Sequence, residues 1–130
     1  MLSHDHQAIA DALATAIAAK DILAIDALLH DEAEIWHNVD QVVQDRAAAL
    51  ASIKASFSTI HQSRYADIRR HPIPDGFVEQ HDTVMRFTPD GPELRVPCCL
   101  IAHVADGRIK RLDEYLDTSI FARLNEQDQG

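Results

Sequence analysis

Glycine and cysteine are both scarce in this chain, which has four Gly, five Pro and two Cys among 130 residues. It has no Gly-rich phosphate loop, HExxH, paired CxxC or nucleophile elbow. Nucleotide cofactors and bound metals are therefore not expected. Cys98 and Cys99 are neighbours, and on a strand adjacent side chains point to opposite faces, so they do not readily bond to each other. A reduced, cytoplasmic protein is the expectation. Long apolar runs are missing too. No window approaches eighteen uncharged apolar residues, and the opening MLSHDHQAIADAL lacks the basic stretch and apolar core of a secretory signal. Positive charge is in short supply, with 12 Lys and Arg against 21 Asp and Glu, a net charge of −9. That sign opposes phosphate backbones and anionic lipid surfaces, so neither nucleic acid nor membrane is expected as a partner.

What remains is 46% hydrophobic and 25% charged, an ordinary balance for a soluble globular protein. The length suits one domain, 1–130, able to bury about two-thirds of its surface. Ile9, Leu13 and Ile17 recur at four-residue spacing after Ser3, a candidate cap, and predict a first helix. Asp21 can cap a second, with Ile22, Ile25, Leu28 and Leu29 on its apolar side. Alternation around Ala33, Ile35 and His37 predicts a strand, and a third helix follows over 45–60. Beyond His61 the pattern turns to strands over 63–73, 77–88, 93–104 and 108–117. Asp-Gly turns at 75–76, 90–91 and 106–107 separate them, and a short tail helix is expected over 118–124.

Helices first and antiparallel strands afterwards predict an α+β domain, with a long curved sheet wrapped around the helices to form a cone. The mouth of such a cone is a natural small-molecule site. Strand parity puts Phe77, His81, Met85 and Phe87 on one face and Gln80, Asp82 and Arg86 on the other. On the last strand Leu112, Glu114 and Leu116 alternate with Arg111, Asp113 and Tyr115, which sets a carboxylate between two leucines. A carboxylate in apolar company needs a partner, and His81 is the candidate. A His81–Glu114 hydrogen bond would fix the imidazole tautomer and suit it to acid–base catalysis near neutral pH. His37 would supply a second proton-transfer group. Thr83, Met85, Cys99, Ile101, Leu112, Leu116 and Ile35 are the expected substrate-lining residues. The competing reading is a structural ion pair in a filled core. Arg64, Arg69, Arg70 and His71 read as a solvated strand edge or as an attractor for an anionic group.

The helix–helix opening ending in DILAIDALLHDEAEIWHN, the hairpin HDTVMRFTPDG and the closing DGRIKRLDEYLD resemble the nuclear transport factor 2-like superfamily. That group includes ketosteroid isomerase, scytalone dehydratase, limonene epoxide hydrolase and SnoaL-like polyketide cyclases. The resemblance spans nearly the whole chain and implies the cone fold. It also implies catalytic groups on the strand faces that look into it. The isomerase's general base falls at His37, its helix-borne tyrosine at Leu13 and its hydrogen-bonding aspartic acid at or near Cys99, three departures that argue against steroid isomerisation. The epoxide hydrolase's Arg and two Asp fall at His81, Thr83 and Glu114, and only the last keeps its chemical type. Scytalone dehydratase uses cavity histidines, as this chain could.

The expected function is thus a cofactor-independent lyase or isomerase, most like a dehydratase, acting on a small hydrophobic oxygenated molecule. The alternatives are a non-catalytic binding or dimerisation module and an epoxide hydrolase-like water addition. Trp36 has the parity opposite to His37, so it should cover the outer face of the sheet and support a homodimer.

Overall fold

The computed structural model describes residues 1–122. Helix α1 (His4–Ala19) starts where the Ser3 hydroxyl accepts from the His6 N–H at 3.2 Å, and it ends at Lys20, a left-handed residue with φ 54°. Helix α2 (Ile22–Leu28) is capped by Asp21 and α3 (Arg46–Thr59) by Asp45, each carboxylate accepting a backbone N–H three residues on. Caps of this kind contribute about 1 kcal/mol apiece. The strands are β1 (Leu29–His37), β2 (Val43–Asp45), β3 (Gln62–Ile73), β4 (Gly76–Arg86), β5 (Leu94–Ala105) and β6 (Arg108–Leu116). Only the three-residue β2 is absent from the elements expected above. Residues 119–122 form a helical turn, while the last two positions of the expected tail helix lie outside the described residues.

All strands join one sheet in the order β2-β1-β6-β5-β4-β3, antiparallel except where the first long strand and the last run parallel, β1 against β6. The Asp106-Gly107 turn has positive φ at both residues, the type I′ geometry whose twist suits a two-residue hairpin. In β3 the pairing slips between Ala66 and Arg69, with Asp67 left-handed at φ 52°. The extra residue is a bulge, which bends the strand and adds twist, and it helps curl the sheet around the helices.

The concave side is filled in two parts. Ile9, Ala10, Leu13 and Ala16 of α1 pack with Ile25, Ile35, Ala49, Phe77, Leu100, Ile109 and Leu112. A second cluster, Met85, Val96 and Cys98, is roofed by Ile60, Leu116, Ile120 and Phe121. Ile17 of α1 and Ile53 and Phe57 of α3 are only partly buried, because they line the space left between the two clusters.

Where β4 begins, a Cβ on Gly76 would sit 1.9 Å from the Ala102 carbonyl oxygen, a backbone atom with no freedom to yield. Gly76→Ala should therefore cost about 1–3 kcal/mol in urea unfolding, the usual scale of overpacking. A loss below about 0.5 kcal/mol would mean that the strands do not approach this closely.

Candidate active site

The space between the two clusters is a cavity of about 220 Å³, walled by α1, α3 and the inner faces of β1, β3, β4, β5 and β6. Besides His37, Glu114, Tyr65 and Cys98, its lining carries four small hydroxyl side chains, three Ser and Thr83. His37 and Glu114 face each other across the parallel β1–β6 pair, with Nε2 and Oε2 4.0 Å apart. Asn38 holds this junction in register beyond the last ladder pair. Its amide donates to the Leu116 carbonyl at 3.1 Å, its side-chain oxygen accepts from the Leu116 N–H at 3.0 Å, and its own N–H donates to the Glu114 carbonyl. Burial raises the Glu114 pKa above the usual carboxylate value. The neighbouring His37 and His81 pull it back, and Glu79 pushes it up again.

The expected His81–Glu114 hydrogen bond does not form. Strand β5 lies between β4 and β6, so the two backbones are about 9–10 Å apart, and Cys98 and Leu100 stand between. His81 instead donates from Nδ1 to Glu79 Oε2 at 2.7 Å, two residues away on its own strand face. Glu79 is clamped from the other side by Arg70 Nε at 2.8 Å, and Arg70 also donates to Asp11 of α1 at 2.6 Å. The side chains of Arg70, Glu79 and His81 are 9%, 2% and 1% exposed. Arg70 is thus no part of a solvated edge, although Arg64, Arg69 and His71 are exposed as expected.

Tyr65 lies over His81, with ring centroids 3.7 Å apart and planes within 16°. It, and not the histidine, lines the cavity. Burial raises the phenol's pKa well above its usual value, and the Glu114 and Glu79 carboxylates add to the effect, so its proton stays on. Among the described residues the hydroxyl has no hydrogen-bond partner. Both Tyr65 and Glu79 escaped the sequence reading. Glu79 was legible, since it has the parity of Phe77 and His81. Tyr65 was not, because it and Arg70 have opposite parity yet both face inward, which only the bulge at Asp67 permits.

Of the expected lining residues, Thr83, Met85, Leu112, Leu116 and Ile35 face the cavity. Cys99 and Ile101 do not. On β5 the even positions Val96, Cys98, Leu100 and Ala102 are buried, and Cys99 and Ile101 point to the outer face with Arg95 and His103. Cys98 takes the place expected of Cys99. Its thiol lies 3.4 Å from the Thr83 hydroxyl, and burial pushes its pKa up to about 11, which leaves it protonated and inert. Among the described residues no group of three or more His, Cys, Asp or Glu is arranged to hold a metal ion, and no helix is long and apolar enough to cross a membrane.

This architecture is shared with known proteins. A candidate SnoaL-like polyketide cyclase from Shewanella denitrificans OS-217 superposes with a TM-score of 0.82 at 8% identity, over 96% of this chain and 99% of that one. A candidate isomerase from Bacillus subtilis gives 0.80 at 16% identity, over 92% and 91%. An LEH-like epoxide hydrolase from M. tuberculosis gives 0.75 at 16% identity, over 92% and 87%. At these identities the likeness is one of fold. No curated protein matches the sequence significantly. The model of the SnoaL-like domain, however, matches residues 10–112, most of the chain. With its helices cupped in a curled six-stranded sheet around a cavity, the chain belongs to the SnoaL-like domain family.

Proposed function

We propose that this chain is a cofactor-independent lyase or isomerase that moves a proton on a small, oxygenated, largely apolar molecule, with dehydration as the preferred reaction. The observation that carries the reading is the Glu114–His37 pair, two proton-transfer groups 4.0 Å apart on the wall of a mostly apolar cavity. A carboxylate whose pKa burial has raised is a stronger base than a solvated one and better matched to neutral pH. In a β-hydroxy ketone, Glu114 takes a proton from the carbon next to the carbonyl. The freed electron pair forms the carbon–carbon double bond as the carbon–oxygen bond to the hydroxyl breaks. Protonated His37 gives its proton to the departing hydroxide, which leaves as water, and Glu114 then returns a proton to His37. His81, bonded to Glu79 beneath Tyr65, stands behind this chemistry and does not perform it. The isomerase and epoxide hydrolase among the structural relatives support small-molecule chemistry on this fold.

The test uses 3-hydroxycyclohexanone. 2-Cyclohexenone should accumulate, more slowly by about 10²-fold in His37→Ala, and deuterium placed beforehand on the carbon next to the carbonyl should slow the reaction. Equal rates with and without the protein, or in parent and variant, would sink the reading.

The same reading takes the outer sheet face as a homodimer interface. Trp36 packs edge-on against Tyr115 at 5.1 Å, Tyr115 is 46% exposed, and Val43 is paired beside Trp36. Light scattering should give twice 14.5 kDa for the parent and a monomer for Tyr115→Glu. A monomeric parent at micromolar concentration would defeat the interface.

A further inference from the structure

We propose that Asn38 is a positioning residue, whose side-chain amide fixes the end of β1 against β6 and so keeps His37 and Glu114 within reach of each other. The inference rests on the reading of that pair as the reacting groups and adds to it the device that sets their distance.

The join between these strands needs securing. Among the described residues it is the one parallel pairing of the sheet, and parallel ladders are slightly less stable per residue than antiparallel ones. Its unbroken register runs only from Glu34 to His37 against Arg111 to Glu114, because the pairing shifts between Leu29 and Glu34. The two reacting residues occupy the last rung of that short ladder, where strands fray. Directly after it the chain turns away, and the His37 carbonyl accepts from the Gln41 N–H at 2.9 Å rather than from β6.

Asn38 supplies what the turning backbone withdraws. Its N–H, in the peptide that follows His37, donates to the carbonyl of Glu114 itself at 3.0 Å, so the backbones of the two reacting residues are tied to each other. Its side chain then takes both polar groups of one residue further along β6. Nδ2 donates to the Leu116 carbonyl at 3.1 Å, and Oδ1 accepts from the Leu116 N–H at 3.0 Å. An amide that donates and accepts at once stands in for a peptide group of a neighbouring strand. Aspartate offers acceptors only, and a serine hydroxyl is too short to span both groups. Any slide of β6 along β1 breaks the two bonds together.

The position so fixed matters electrically. Burial raises the Glu114 pKa, and of the charged groups around the carboxyl His37 has the largest effect, pulling the pKa down. His81 of β4 adds to the pull and Glu79, also of β4, opposes it. Those two are anchored by their own bond on β4. The influence of His37 depends on β1 staying where Asn38 holds it.

The experiment needs no substrate. Glu114 is followed by ¹³C NMR of its carboxyl carbon, assigned by the signal lost in Glu114→Gln, and its pKa is read from a pH titration. His37→Ala should raise that pKa, because a favourable positive neighbour is gone. With Asn38→Ala already in place, the same change should raise it by about half as much or less, since the two charges are no longer held together. Asn38→Ser should behave alike and serves if the alanine variant does not fold. Ser3→Ala, which removes the distant cap of α1, should leave the full rise, so that loss of stability is told apart from loss of position. An equal rise with and without Asn38, no rise in the parent, or a rise that shrinks as much in Ser3→Ala overturns the proposal. Because the titration is made on the free protein, failure of the turnover test would leave this result standing, and an unaltered rise would leave the turnover test untouched.

Discussion

Glu114→Gln should make the protein more stable at neutral pH and nearly inactive. The substitution keeps the shape of the side chain and removes its charge. Burial raises the Glu114 pKa, so at pH values between its unfolded and folded pKa the folded chain holds a proton that the unfolded chain has released. With more protons bound in the native state, stability falls as pH rises through that window, and above it the ionised carboxylate is a standing cost. Each unit of elevation amounts to about 1.4 kcal/mol. Thermal unfolding from pH 4 to 8 should show the parent losing stability relative to Glu114→Gln as pH rises. Turnover of 3-hydroxycyclohexanone should fall by about 10²-fold or more in the variant, the scale of general acid–base catalysis. A variant less stable than the parent at pH 8 would contradict the electrostatics. One with full turnover would remove Glu114 from the chemistry.

The largest stability effect is expected at Arg70→Met. Arg70 lies between Asp11 and Glu79, and its bonds to both raise its pKa despite the opposing effect of burial. Methionine leaves Glu79 enclosed with His81 as its one side-chain partner, and breaking a buried pair in this way costs about 3–5 kcal/mol. That is much of the margin of a typical domain. Adding Glu79→Gln should recover part of the loss, because the stranded charge is gone. Urea unfolding of the two variants checks both statements. A loss under about 1 kcal/mol for Arg70→Met would show that the chain of charges carries little.

Much of this architecture is written in local pattern. Ser3 and Asp21 are legible as caps because their oxygens are short enough to reach back to the first turn. The alternation along β6 places Glu114 inward without knowledge of its neighbours. Cys99 was legible too, since Arg95 and His103 share its parity and could not both be buried; matching it to a family position put it on the wrong face. His81's partner was not legible in full, because parity gives the face of a strand but says nothing of which strand lies beside it. With β5 between β4 and β6, two residues of correct orientation are kept apart, and Glu79 is nearer by geometry than any inference across strands. Tyr65 lies past a bulge, where period-two counting fails by one residue.

The parallel pairing of β1 with β6 has a consequence in time. His37 and Glu114 come from the first long strand and the last, and they meet only when β1 docks along β6. Contacts so distant along the chain form late and slowly, after the successive hairpins of β3, β4, β5 and β6, which need only short loops. Folding intermediates in which β1 has not yet docked on β6 would hold the Tyr65–His81 stack, yet no proton-transfer pair. Recovery of activity during refolding should therefore trail the recovery of sheet structure, which makes turnover a clock for the last step of assembly.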